Sequence, residues 1–263
     1  MSARLHVLDH PAVDRRATSA SAEELLVVLV HGSLDRASSF SRVVRRLHDL
    51  HVLTYDRRGY HLSRHVAPPA TTLEDHVADL VALVQGRPSV VVGHSYGGDV
   101  ALGATLAARG WVKAVGVYEP PVPWAEFWPR RSVSDIAAED PAVYAESFFG
   151  RLVGAEAWER LPERVKAERR ADGPALVAEL ADLRRPHPPF DLAALGVPVV
   201  LGRGSGSLPH HRRAIDVLEE TVPDTEVVEF AGAHHGAHLS HPDAFAAFVR
   251  RVAGAGSGGR SPR

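Results

Sequence analysis

The stretch SVVVGHSYGG, residues 89–98, decides how this chain is read. Val90, Val91 and Val92 are β-branched and apolar on both faces, which suits an interior strand of a parallel sheet. Gly93, Ser95 and Gly97 then spell G-x-S-x-G, and the small-residue-rich segment Tyr96–Arg109 that follows reads as a helix. Between a strand and a helix that pattern has a mechanical meaning. The glycines let neighbouring backbone approach closely, and the sharp turn lifts Ser95 Oγ out at the C-terminal edge of the sheet. The helix aims its first N–H groups at the same spot, where they favour developing negative charge.

Working outward, the same alternation extends along most of the chain. Leu25–Val30, His51–Tyr55, Val112–Val117, Val197–Leu201 and Glu226–Phe230 read as further strands, with Arg4–Leu8 as a possible edge strand. Helical periodicity fills the gaps at Ser39–Leu50, Leu73–Val84, Ile215–Glu220 and Pro242–Val252. Strands alternating with helices predict an α/β fold with a doubly wound, mostly parallel sheet. The rhythm breaks between Pro123 and Pro189, where helical patterns near Ala142–Leu152 and Ala175–Leu183 occur with no convincing strand. The expected organisation is a core in two parts, residues 1–122 and 191–254, a small helical cap inserted at 123–190, and a disordered tail at 255–263 rich in Gly and Ser.

Composition narrows the function. With 263 residues, 45% hydrophobic, and a formal net charge of −2, the chain can bury a sizeable core and presents no case for nucleic acid or an anionic membrane. Basic pairs such as Arg15–Arg16, Arg45–Arg46 and Arg169–Arg170 are scattered and read as solvated faces. There is no cysteine, hence no thiol nucleophile and no thiolate metal site. No apolar run approaches a membrane span and the N-terminus has no secretory h-region, so a cytoplasmic location is the expectation.

Four motifs in order, LVHGSLD (29–35), YDRRGYHLS (55–63), VGHSYGG (92–98) and AGAHHGAHLSHPDAF (231–245), make the chain resemble the α/β-hydrolase superfamily over nearly its whole length. The resemblance implies an oxyanion hole of two backbone donors, Tyr96 after the nucleophile and Ser33 after the His31–Gly32 pair, with Gly32 adjacent. His31 then orders its loop. In related sequences the catalytic histidine stands seven residues before the proline that starts the last helix, which selects His235 from His234, His235, His238 and His241. That histidine-rich loop also invites a metal reading, but it lacks H-E-x-x-H and a cysteine partner, and no metal or cofactor is expected.

The carboxylate is the problem. PVVLGRGSGS (198–207) reads as a buried strand running into a glycine-rich turn. A dinucleotide loop would need a third glycine where Ser207 stands. In many α/β-hydrolases the triad acid sits three residues after the glycine matching Gly202, and here that residue is Ser205. The substitute is Glu119 in VGVYEPPVP, at the end of the preceding strand, the sixth in family counting. Haloalkane dehalogenases and zearalenone-type lactone hydrolases take their acid from that strand. The alternatives are an acid supplied by the cap, or none. Asp99, Asp35 and Asp56 read as structural, and Asp216 and Asp224 lie too far past the turn.

The resemblance therefore implies a serine hydrolase of carboxylic esters or lactones acting through Ser95, His235 and Glu119. A cofactor-free perhydrolase would use the same residues, and a ligand receptor on the same fold would not need a working acid. Trp124, Trp128 and Phe148 of the cap, with His94 beside the serine, are the expected pocket, suited to an apolar or aromatic small-molecule ester or lactone. Oligomeric state is not legible.

Overall fold

Seven strands form one sheet in the order β1-β3-β2-β4-β5-β6-β7 in the computed structural model, which describes residues 4–13, 25–67, 69–70, 72–129 and 140–258. They are β1 (Val7–His10), β2 (Leu26–Val30), β3 (His51–Tyr55), β4 (Ser89–His94), β5 (Val112–Tyr118), β6 (Val199–Gly204) and β7 (Thr225–Phe230). Only β1 runs antiparallel, against β3; all other pairings are parallel. The fold is thus the α/β sheet expected, of the α/β-hydrolase type. Its edge strand begins three residues later than expected, and β6 runs on to Gly204.

Alternation along the strands builds two cores, one on each face. Val28 and Val30 of β2 pack with Leu73, Val77, Leu80, Val100 and Ile215. Val27 and Leu29 pack with Phe40, Val43, Phe245, Phe248 and Val252. The covering helices are α1 (Ser41–Val44), α2 (Leu73–Val84), α3 (Tyr96–Ala107), α8 (Pro209–Thr221), α9 (Ala237–Ser240) and α10 (Pro242–Gly256). Helix α2 starts at a reciprocal cap, in which Thr72 Oγ1 accepts from Asp75 N and Asp75 accepts from Thr72 N. Among the described residues, no helix is long and apolar enough to cross a membrane.

The helix expected over Ser39–Leu50 is a correction. A 3₁₀ turn at Ala37–Phe40 and a single helical turn at α1 replace it. Phe40, Val43 and Leu47 are buried as the periodicity requires, but Arg46 N and Leu47 N close onto carbonyls only three residues back. The Arg46 carbonyl accepts from Arg250 Nη2 instead of from a helical neighbour. The last helix continues to Gly256, so the expected tail from residue 255 does not start there; residues 259–263 and the pair Arg15–Arg16 lie outside the described residues.

Between β5 and β6 the chain inserts α4 (Pro141–Val153), α5 (Ala155–Glu159), α6 (Glu163–Ala171) and α7 (Gly173–Asp182). The two helices expected here are α4 and α7. The other two escaped notice because a segment such as ERVKAERRA has almost no apolar face to report. Tyr144, Ala145 and Leu176 form a small core of their own that closes over Leu34, in the loop after β2.

Candidate active site

The strand order reverses between β2 and β4, which are paired neighbours with Val30 opposite Gly93. At such a switch point the loops leaving the two strands part and open a crevice at the carboxyl ends. Ser95 stands there, between β4 and α3, with φ 53° and ψ −131°. A non-glycine residue at positive φ is strained, and it persists only where the surroundings over-determine it. Here they do. Ser95 N donates to Tyr118 O at 2.9 Å and Gly98 N donates to Ser95 O at 2.6 Å. Gly93 and Gly97 have no room for a side chain: a Cβ on Gly97 would run into the carbonyls of Val30 and His31. Gly97→Ala is therefore expected to lower folding stability by about 1–3 kcal/mol, the usual penalty of overpacking, read from the urea midpoint. An unchanged midpoint would mean the elbow can relax.

His235 lies in the loop between β7 and α9, its ring centroid 4.9 Å from that of His94, the residue before Ser95. Each carbonyl around it is held. Tyr118 Oη donates to His234 O at 3.0 Å, His94 Nε2 donates to His235 O at 2.7 Å, and Gly206 N donates to Ala233 O at 3.0 Å. His235 Nδ1 meets Glu119 Oε2 at 2.8 Å. Glu119 is fully buried, sits at φ 46° where β5 ends, and accepts from Gly204 N through Oε1 at 2.8 Å. The strained backbone turns the side chain across the sheet rim toward β6 and the histidine loop. Gly98 leaves the space that Pro120, next in the chain, occupies. Ser205 does not face the imidazole; its Oγ accepts from Gly232 N at 2.8 Å.

The other histidines have separate duties. His234 is exposed, and His241 bonds its neighbour Ser240. His238 pairs with Asp35 at 3.1 Å. His211 of α8 was not singled out from sequence, yet its ring stacks on His235 with centroids 4.1 Å apart and planes 16° apart. Burial, followed by the nearby His235, brings the His211 pKa down to about 2, so this neighbour stays neutral. His94, expected in the pocket, is almost wholly buried and supports the His235 loop from behind. Burial also pushes its pKa well down.

Of the expected pocket residues, Trp128 packs edge-on against His210 and His211, one ring removed from His235. Trp124 is half-buried against the larger core, and Phe148 packs with Tyr144 and Leu34. Two sets of side chains, Asp35–His94–His238 and Glu119–His211–His235, bring potential ligand atoms within 4.8 Å of one another. In each the carboxylate is already hydrogen-bonded to one of its imidazoles.

The loop after β2 completes the site. Gly32 lies so close that a Cβ there would come 2.9 Å from Ser95 Cβ. His31 orders this loop, as expected: its Nε2 accepts from Arg57 N at 2.9 Å and its Nδ1 donates to Gly32 O at 2.8 Å. Burial, reinforced by the Arg57 cation, lowers its pKa to about 3, which keeps the ring in that neutral form. Arg57 is itself fully buried; it donates from Nε to His31 O at 2.9 Å and from Nη2 to Gly32 O at 3.0 Å. Its counter-ion is Glu179 of α7. Neither Arg57 nor Glu179 was expected to matter. Of the two arginines in YDRRG, Arg58 pairs with Asp79 of α2, which left Arg57 without an evident partner in the sequence. Asp56 is structural, as read, and fixes Ala37 N; Asp99 is buried in α3, and burial raises its pKa well above the usual range.

Fold and site together define the class. A serine on a strained strand-to-helix turn of a mostly parallel sheet, next in the chain to a histidine that packs on an imidazole paired with a carboxylate, is the arrangement of an α/β-hydrolase. The chain belongs to the alpha/beta hydrolase family, which residues 27–248 match. It is 31% identical over 99 residues to lipase LipV of Mycobacterium tuberculosis, a match spanning 36% of this chain and 37% of that lipase. Among solved structures it superposes on a thermophilic esterase from Thermogutta terrifontis with a TM-score of 0.72, at 22% identity, over 94% of this chain and 92% of that one. With the enol-lactonase from Burkholderia xenovorans LB400 the TM-score is 0.71, at 18% identity, over 95% and 96%. At such identities these two likenesses concern the fold.

Proposed function

We propose that the protein is a serine hydrolase of carboxylic esters or lactones. The observation that carries the reading is the 2.8 Å contact between Glu119 Oε2 and His235 Nδ1, in a chain whose usual acid position is Ser205. Ser95 attacks the acyl carbon as His235 Nε2 takes its proton, and the N–H groups of Ser33 and Tyr96, with Gly32 beside them, bind the oxyanion. His235 then protonates the leaving group and activates water to release the acid. Glu119 holds the proton on Nδ1, so that Nε2 is free to accept, and balances the charge of the imidazolium. The inserted helices serve as a cap. The rings of Trp128 and His210, together with Leu34 and Phe148, suit a neutral apolar or aromatic acyl group. The lipase, esterase and lactonase names among the relatives agree with this chemistry.

The test is labelling with a fluorophosphonate, together with turnover of p-nitrophenyl butyrate. Wild type is expected to label stoichiometrically and turn over; Ser95→Ala is expected to do neither. A folded wild type that neither labels nor hydrolyses would support a non-catalytic ligand receptor on this fold.

A further inference from the structure

We propose that Glu179, from the inserted helix α7, is a positioning residue that sets the oxyanion donors through Arg57. The oxyanion hole is then assembled only while α7 presents Glu179 to Arg57. This rests on the serine-hydrolase reading above and adds a residue and a coupling to it.

The argument begins with the planar trans peptide, in which the carbonyl and the following N–H point in opposite directions. Arg57 draws the carbonyls of His31 and Gly32 to one side of the loop. The N–H groups of Gly32 and Ser33 must therefore face the other way, away from the guanidinium. What aims the donors is thus the location of one cation, together with the His31 ring that also donates to Gly32 O. That cation is fully buried and its ionic partner among the described residues is Glu179. A guanidinium stripped of its counter-ion in such a place either leaves for water or drags water in, and either movement releases the His31 carbonyl and leaves Gly32 O to the His31 ring alone.

Glu179 does more than neutralise charge. Its Oε2 accepts from Ser33 Oγ at 2.7 Å and from Tyr60 Oη at 2.8 Å, while its Oε1 takes Arg57 Nη1 and lies 3.2 Å from His76 Nε2. The side chain of the donor residue itself is therefore tied to a helix 146 positions away. Burial opposes ionisation of Glu179, but Arg57 and then His76 outweigh it and hold the carboxyl well below the usual range.

Other ties dock the same insertion without touching this loop. Asp172, fully buried between α6 and α7, accepts from Arg64 Nη2 at 2.6 Å and from His61 N at 3.0 Å. Loss of that tie loosens the insertion as a structural element and leaves Arg57 paired, which makes Asp172→Asn the control.

The experiment compares wild type, Glu179→Gln, Glu179→Ala, Ser33→Ala and Asp172→Asn. Each is assayed for its fluorophosphonate labelling rate constant, for kcat and KM on p-nitrophenyl butyrate, and for thermal midpoint. Glu179→Ala is expected to lower kcat and the labelling rate together by about 10²–10³, the effect of losing an oxyanion donor, with KM within about threefold. Glu179→Gln keeps the shape but loses the charge, and is expected to fall about tenfold. Ser33→Ala strands no cation and is expected to fall less than Glu179→Ala. Asp172→Asn is expected to lose thermal stability with kcat within about threefold. If Glu179→Ala does not fold, the comparison of Glu179→Gln with Asp172→Asn decides. Equal kcat in Glu179→Gln and wild type, or losses in Glu179→Gln and Asp172→Asn that merely follow their thermal midpoints, overturns the inference alone. A wild type that neither labels nor turns over overturns the serine-hydrolase reading and this inference with it.

Discussion

Glu119→Gln is expected to lower kcat for ester hydrolysis by about 10⁴, the loss seen when the acid of a studied triad becomes its amide. The reason lies in the two bonds the side chain makes. Oε1 accepts from Gly204 N, and an amide oxygen can still do that. The amide nitrogen is then left facing His235 Nδ1, where it can only donate. The imidazole must put its own proton on Nε2, the atom that has to receive the proton of Ser95. The fold is preserved because the replacement is isosteric and keeps the Gly204 bond. The loss should appear in kcat with little change in KM, and in labelling by fluorophosphonate as well as in turnover. Retention of kcat within tenfold would mean that Glu119 is an ordering residue and that another group orients the base.

How much of this was legible in the residues follows from where each constraint acts. The elbow was readable because its requirements are local: a strand, two glycines that tolerate contact with backbone, then a helix. His235 was readable from its distance to Pro242. Glu119 became readable once Ser205 left the usual position without a carboxylate; what no local pattern carried is the positive φ that turns it toward the histidine loop. The Arg57–Glu179 pair was missed because its members stand 122 positions apart. There was a signal, though. Glu179 lies three residues after Leu176 and four before Leu183, both buried, so a carboxylate stands on the apolar face of α7. A charge there needs a partner from outside its helix. His211 gave less, since a stacked ring leaves no trace in a segment reading PHHRR.

Mild acid should destabilise this protein before the ion-paired carboxylates Asp35 and Glu179 are protonated. His31, His76, His94 and His211 are all buried, and burial is the leading cause lowering the pKa of each. In the unfolded chain each titrates near 6.5. Below that pH the unfolded state binds protons that the native state refuses, so stability falls as pH falls, by up to about 1.4 kcal/mol per pH unit for each group. Asp99 and Asp172 act in the opposite sense, because burial raises their native pKa and the folded chain holds protons that the unfolded chain has lost. The imidazoles lowered furthest, His31, His94 and His211, outnumber Asp99, the carboxyl raised well above its usual range, so unfolding near pH 5 takes up protons, each net proton contributing up to about 1.4 kcal/mol per pH unit. Against a total stability of about 5–15 kcal/mol a loss of that order per pH unit is large. Asp35 and Glu179, whose native pKa is lowered, add their loss only below about pH 4, in the same direction. Urea midpoints measured from pH 7 to 5 should fall steeply, and His211→Phe should flatten the slope by about one proton. That variant keeps a ring against His235 and removes an Nδ1 that is buried without a partner. Midpoints independent of pH across this range would mean that the buried imidazoles bind protons in the native state, and the neutral neighbours assigned to His235 would be charged.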